Sequence, residues 1–184
     1  MPPKDWTVLS SRSDRSNRFL TLRTDRALSP RTGLSSDFVV FESSPWVNVI
    51  PLTSQNEVVL VHQYRHGTRT VTLEIPGGLV EDYDSPAGAA RRELQEETGY
   101  VDTSLISLGT VYPNPAIQNN LCYTFLAKDV YLAGEQNLDK NEDIEVILKP
   151  LDEIPKLIQE GDISHALVIA AFYRFYMEYL QQGK

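Results

Sequence analysis

Cysteine is almost absent. Cys122 is the single one in 184 residues, so no intramolecular disulfide can form, and a reducing cytoplasm is the compartment expected for such a chain. Histidine is scarce as well: three residues, with His62 and His66 flanking Tyr64 and Arg65, argue against a histidine-based zinc site. No stretch approaches the roughly 20 apolar residues needed to cross a bilayer. The opening Met-Pro-Pro-Lys-Asp-Trp lacks the apolar core of a secretory signal. Positive charge is in the minority, 17 Lys and Arg against 25 Asp and Glu, and the resulting −8 argues against a general grip on nucleic acid. If this chain handles phosphates, a cation has to stand between them and its carboxylates.

What is present, 41% hydrophobic and 23% charged residues, is the profile of a compact soluble domain with a substantial core. Residues 1–36 carry seven basic and three acidic side chains, which leaves the remainder at −12. The arginines 12, 15, 18, 23, 26 and 31 are either a solvated surface or a wall for an anion or an acidic partner subunit. Short apolar or alternating runs predict strands near 17–25, 36–43, 46–52, 57–65, 70–74, 105–112, 120–130 and 143–149. Helices are predicted at 86–98, 152–160 and 162–181. A mixed sheet flanked by helices, an α+β arrangement, is the simplest way to cover the apolar faces.

The segment from Gly77 to Tyr100 carries the most information. Ser85 suits an N-cap, Pro86 the first helical position, and Gly99 the left-handed residue that closes a helix. Within that helix Ala87, Ala90 and Leu94 form a narrow stripe suited to face the sheet. Glu93, Glu96 and Glu97 share another face, where three carboxylates repel unless they are neutralised. Arg92, four residues before Glu96, offsets one of them. Clustered hard oxygen ligands suit Mg²⁺ or Mn²⁺, which keep some waters and bridge to substrate phosphates. A solvated acidic face is the ordinary meaning of a Glu-rich helix, but the Gly-Gly turn, the arginine and the caps together point to a metal site.

These residues resemble the Nudix superfamily pattern G-x5-E-x7-R-E-U-x-E-E-x-G-U, with U a bulky apolar residue. Gly78, Arg92, Glu93, Leu94, Glu96, Glu97, Gly99 and Tyr100 stand at the required spacings, and Asp84 replaces the first Glu. The resemblance implies an α/β/α sandwich and hydrolysis of a nucleoside diphosphate joined to another group. It implies that the Gly77 carbonyl, Glu93, Glu96 and Glu97 hold the metal, Mg²⁺ with Mn²⁺ as a substitute, and that Arg92, Glu93 and Glu97 serve catalysis.

Flanking residues narrow the resemblance to the ADP-ribose pyrophosphatase and nucleoside diphosphate sugar hydrolase branch. Gln63-Tyr64-Arg65, Leu73-Glu74-Ile75-Pro76, Trp46-Val47-Asn48 and the segment 112–120 with its two prolines carry that likeness. Arg65, Glu81, Trp46, Pro115 and Gln118 are thereby expected to contact substrate. For Trp46 a core position is the ordinary alternative, and for Arg65 and Glu81 an exposed one. Relatives draw a general base from a loop between the last strands, here 133–143, which makes Glu142 the first candidate, followed by Asp139 and Glu135. The branch also implies a homodimer whose N-terminal strands help to build the partner's site, with residues 1–45 as a dimer-forming β extension and 46–184 as the hydrolase domain. Competing readings are a hydrolase of dinucleoside polyphosphates or nucleoside triphosphates, and a nucleotide-sugar sensor without catalysis.

Overall fold

A computed structural model describes residues 2–15 and 20–180, with side chains over 2–13 and 20–177. The chain falls into two compact units, Met1–Ser44 with Tyr112–Leu121, and Pro45–Val111 with Cys122–Lys184.

The first unit is a three-stranded antiparallel sheet of β1 (Thr7–Arg15), β2 (Thr21–Leu28) and β3 (Ser35–Glu42), in that order. β1 was not expected, because Thr7–Arg15 is mostly polar and has no apolar alternation. The strand expected at 17–25 begins at Thr21, and the part of it at 17–19, with Arg18, lies outside the described residues. Ser11 and Arg23 both bond the Asp25 carboxylate, and Arg23 also pairs with Glu42. The segment 112–121 is stitched to β3 by hydrogen bonds between the Phe41 N–H and Ile117 carbonyl (2.7 Å) and between the Asn119 N–H and Phe41 carbonyl (3.4 Å). Trp6, Val8, Phe38 and Val39 are exposed, and Trp6 meets Phe38 edge to face.

In the second unit eight strands make one mixed sheet: β4 (Trp46–Thr53), β5 (Glu57–Arg65), β6 (Thr70–Glu74), β7 (Gly77–Leu79), β8 (Tyr100–Val101), β9 (Ser104–Val111), β10 (Cys122–Leu132) and β11 (Ile144–Pro150). Only the β4–β10 pair is parallel. α1 (Pro86–Thr98) covers one face, and α2 (Ile154–Glu160) and α3 (Ala166–Arg174) cover the other. The two-residue period of strands explains how both faces are filled. Val47 and Val49 pack with Ala89, Ala90 and Leu94 of α1, whereas Ile50 and Leu52 pack with Phe172 and Phe175. The result is the α/β/α sandwich expected.

Three further expectations are corrected. Besides Ala90 and Leu94, it is Ala89 that α1 buries fully, with Ala87 only partly covered, so the stripe is broader than expected. The last helix starts at Ala166 instead of 162 and passes into a π-helical turn at Phe175–Leu180, residue 181 lying outside the described residues. A 3-10 turn at Leu151–Glu153 precedes α2. The two- and three-residue strands β8 and β7 carry too few residues to show a period. No described helix is long and apolar enough to cross a membrane.

Candidate active site

The sheet splits where the site lies. β4 and β5 pair only at Leu52 and Val58, and beyond that point they diverge. β6 pairs with the free side of β5, and β7 with the free side of β4, so the segment from Thr70 to Leu79 spans the opening. Two glycines make this approach feasible. A Cβ on Gly77 would overlap the Val47 carbonyl oxygen, and one on Gly78 would occupy the space of the Glu93 carboxylate. Beside the split lies a cleft of about 310 Å³ lined by Trp46, Asn48, Arg65, Glu74, Gly77, Gly78 and His165 among others.

α1 brings the acids to this place. Its first turn is capped by Ser85, whose Oγ accepts the Gly88 N–H at 3.0 Å, and it ends at Gly99 with φ +74°. Arg92 is the hub of the exposed side. Its Nε donates to Asp84 at 2.9 Å, its Nη1 to both Glu93 and Glu96 at 2.9 Å, and its Nη2 to the Leu79 carbonyl at 3.1 Å. Asp84, one methylene shorter than Glu, therefore still reaches the guanidinium and ties the loop before α1 to its middle. Burial works against the charge of Arg92, but the hydrogen bond to Asp84 and the neighbouring glutamates outweigh it and raise its pKa.

Glu97 is on the inner side, 3% exposed, and accepts the Gly77 N–H at 3.0 Å. Burial is the main cause that pushes its pKa up to about 8; the Gly77 N–H and Arg65 oppose the shift, and the charges of Glu93 and Glu142 add to it. Glu93 is pushed up to about 7, again chiefly by burial, with Arg92 opposing and Glu96 and Glu142 adding. Glu93 shares the Arg92 guanidinium with Asp84 and Glu96, Glu97 rests on the Gly77 N–H, and Glu142 is near enough to be felt by both. Glu142 closes a tight turn, its N–H donating to the Asp139 carbonyl and its Oε2 accepting the Asp139 N–H, each at 2.9 Å.

The donor set fits a hard divalent cation: side-chain oxygens with unbalanced negative charge, next to a backbone strand. Among the described residues no three Asp, Glu, His or Cys side chains converge on one point, because Glu93 and Glu96 lean on Arg92. A small hard cation such as Mg²⁺ takes only one or two carboxylates beside waters and substrate phosphates, a share that two carboxylates such as Glu93 and Glu97 could supply.

Arg65 lines the cleft, but its fork is taken. Nε and Nη2 each donate to Glu74 at 2.7 Å, which leaves Nη1 as the nitrogen not engaged by that carboxylate. Glu74 is 2% exposed. Burial pushes its pKa up, yet the hydrogen bonds from Arg65 and Thr72, with the Arg65 charge, hold it below the ordinary range. Trp46 is half-buried at the cleft wall, and Glu81 is exposed in the loop before α1. Pro115 and Gln118 belong to the other unit, where Gln118 bridges to Phe41. Glu135 lies beside Arg92 and Glu96, and Asp139 is exposed. Cys122 is fully buried, and that burial pushes its thiol up to about 12, which fits a packing role.

Sequence reasoning missed Glu74, Asn48 and His165 as cleft residues. The signal for Glu74 was an acid at the end of a strand in which threonine alternates with Val71 and Leu73. Asn48 donates to the Leu167 carbonyl at 3.2 Å, and the buried Nδ1 of His165 has no hydrogen-bond partner among the described residues. The Asn48–Leu167 pairing spans 119 residues, so no local pattern announces it.

This geometry has counterparts. The NUDIX domain family matches residues 44–172, and the chain belongs to that family. An ADP-ribose pyrophosphatase of Bacillus subtilis (strain 168) is 30% identical over 136 residues, covering 73% of this chain and 71% of the relative. A methanol dehydrogenase activator of Bacillus methanolicus is 31% identical over 169 residues, 90% and 87% of the two chains. Among solved structures, an ADP compounds hydrolase superposes with a TM-score of 0.86 at 21% identity, over 100% of this chain and 98% of that one, a likeness of fold.

Proposed function

We propose that this chain hydrolyses the pyrophosphate bond of nucleoside diphosphate sugars, ADP-ribose first among them, to a nucleoside monophosphate and a sugar phosphate. The observation that carries the reading is the pair Glu93 and Glu97, two adjoining carboxylates of which Glu93 shares one guanidinium with two other acids and Glu97 is buried on the Gly77 N–H, at the edge of a cleft that also holds an arginine and a tryptophan. The similarity to an ADP-ribose pyrophosphatase supports the choice of substrate.

Glu93 and Glu97, with the Gly77 carbonyl, would hold Mg²⁺, for which Mn²⁺ can substitute; Glu96 stands by at the hub arginine. When bound, such an ion offsets the pyrophosphate charge and lowers the pKa of an attacking water. The chain's own residues do the rest. Glu142 takes the proton from water, Arg65 offers Nη1 to a phosphate oxygen, and Trp46 offers a ring face to the base. Glu81 adds a further substrate contact from the loop before α1. Arg92 keeps the glutamate helix braced against the Asp84 loop. The Gly77 N–H fixes the Glu97 carboxylate, so its orientation does not depend on solvent.

The exposed Trp6, Val8, Phe38 and Val39 support a homodimer formed through residues 1–45, with 46–184 as the hydrolase domain. A cytoplasmic location fits the single cysteine. The test is a panel of nucleotide sugars, dinucleoside polyphosphates and triphosphates incubated with Mg²⁺ or with EDTA, products resolved by chromatography, and molar mass measured by light scattering. Mg²⁺-dependent AMP and ribose 5-phosphate from ADP-ribose is the expected result. Turnover confined to the other classes, or binding without turnover, would overturn it.

A further inference from the structure

The last turn of α1 leaves carbonyls without helical partners, and it carries no basic residue to satisfy them. The loop 133–143 supplies the donors. Ala133 and Gly134 give their N–H groups to the Gly99 carbonyl at 2.9 and 3.3 Å, and the Asn137 N–H reaches the Glu96 carbonyl at 2.9 Å. Gln136 does more than the backbone can. Its Nε2 donates to the Glu97 carbonyl at 2.6 Å and to the Ile144 carbonyl at 3.1 Å, so one amide nitrogen spends both hydrogens on two different elements. Glu97 belongs to the site helix, and Ile144 opens β11 two residues after Glu142.

We propose that Gln136 is a positioning residue for turnover: by clamping the end of the glutamate helix to the first residue of β11, it fixes the reach of Glu142 over Glu93 and Glu97. The inference rests on Glu142 being the base in the function proposed above. Between the clamp and Glu142, the span 138–141 is held by the Asp139–Glu142 turn. Releasing Gln136 therefore removes the side-chain tie that joins the two ends of that span, leaving the Asn137–Glu96 hydrogen bond at one end and the pairing of Ile144 with Gln63 at the other. A group displaced by about 1 Å from its working position costs on the order of 100-fold in rate.

Three replacements separate the roles. Gln136→Ala removes the donors. Gln136→Glu sets a carboxylate against two carbonyl oxygens at nearly the same size. Gln136→Lys restores donors on a flexible stem. Alanine and glutamate should lower kcat at least about 10-fold while KM stays within about 2-fold, since positioning acts on the transition state. Lysine should recover most of the loss. Mg²⁺ affinity, measured by titration calorimetry, should be unchanged in all three.

The deciding measurement is a double-mutant cycle. On a Glu142→Gln background, Gln136→Ala should cost nothing further. An equal loss with and without Glu142, or an unchanged kcat in Gln136→Ala, would overturn the inference and leave Gln136 as a helix cap. If the native protein turns over no substrate, the functional reading fails by itself. Amide exchange then decides: faster exchange at the Glu142 N–H in Gln136→Ala supports the clamp, and unchanged protection refutes it.

Discussion

Asp84 and Arg92 are joined by a 2.9 Å hydrogen bond from Nε to Oδ2, so the loop that enters the site helix is fastened to its middle by one guanidinium. The same guanidinium holds Glu93 and Glu96. Orientation of the acids and of the loop is thus a single construction.

Asp84→Ala should loosen that construction. A half-buried, charge-assisted hydrogen bond contributes about 1–2 kcal/mol, and urea midpoints should fall accordingly. Asp84→Glu, which lengthens the arm by one methylene, should stay within about 1 kcal/mol of the native protein. A loss equal to that of alanine would show that the shorter acid is required.

Glu97→Gln deletes a carboxylate at nearly constant volume. Turnover should fall by about 100-fold or more, the rate equivalent of losing several kcal/mol of transition-state stabilisation. The amide keeps an oxygen to accept the Gly77 N–H, so the fold should persist, and circular dichroism with a thermal melt checks that.

The raised pKa values of Glu93 (about 7) and Glu97 (about 8) give a pH dependence with a definite sign. Between the unfolded carboxyl value and these raised values, the native state binds more protons than the unfolded one, so their contribution to stability declines as pH rises. In EDTA, the native protein should lose stability between about pH 5 and pH 8 relative to a Glu93→Gln, Glu97→Gln double variant. Mg²⁺ should reverse that decline, because the ion takes the deprotonated carboxylates, and its affinity should rise over the same interval. Melting curves of both proteins across that range, with and without Mg²⁺, provide the measurement.

Glu142→Gln should lower kcat far more than it changes KM or Mg²⁺ affinity, since a base acts on the transition state. A general base contributes on the order of 100-fold or more. Retained kcat would remove Glu142 and return attention to Asp139 and to Glu135, which lies beside Arg92.

Arg23 and Arg65 illustrate how far local reading extends. Both were legible as arginines on strand-like runs near candidate anion sites. In the folded chain each is paired to carboxylates, Arg23 with Asp25 and Glu42, Arg65 with Glu74. Which partner lies across a sheet depends on register, and register is set by long-range packing. β1 escaped notice for a related reason: its polar residues become a strand because β2 lies alongside them. By contrast, Ser85, Pro86 and Gly99 delimit α1 at both ends, since capping is settled within a few residues.

The sequence by itself determined the glutamate helix, its limits, the grouping of its three acids and the family, because helical period and capping are short-range physics. Tertiary structure alone decided which of those acids lack a counter-charge. Arg92 leans on Glu93 and Glu96, the split between β4 and β5 buries Glu97 against Gly77, and the 133–143 loop delivers Glu142. Burial and charge proximity arise from segments tens of residues apart meeting in space, and electrostatic energies follow that distance and that dielectric rather than position along the chain.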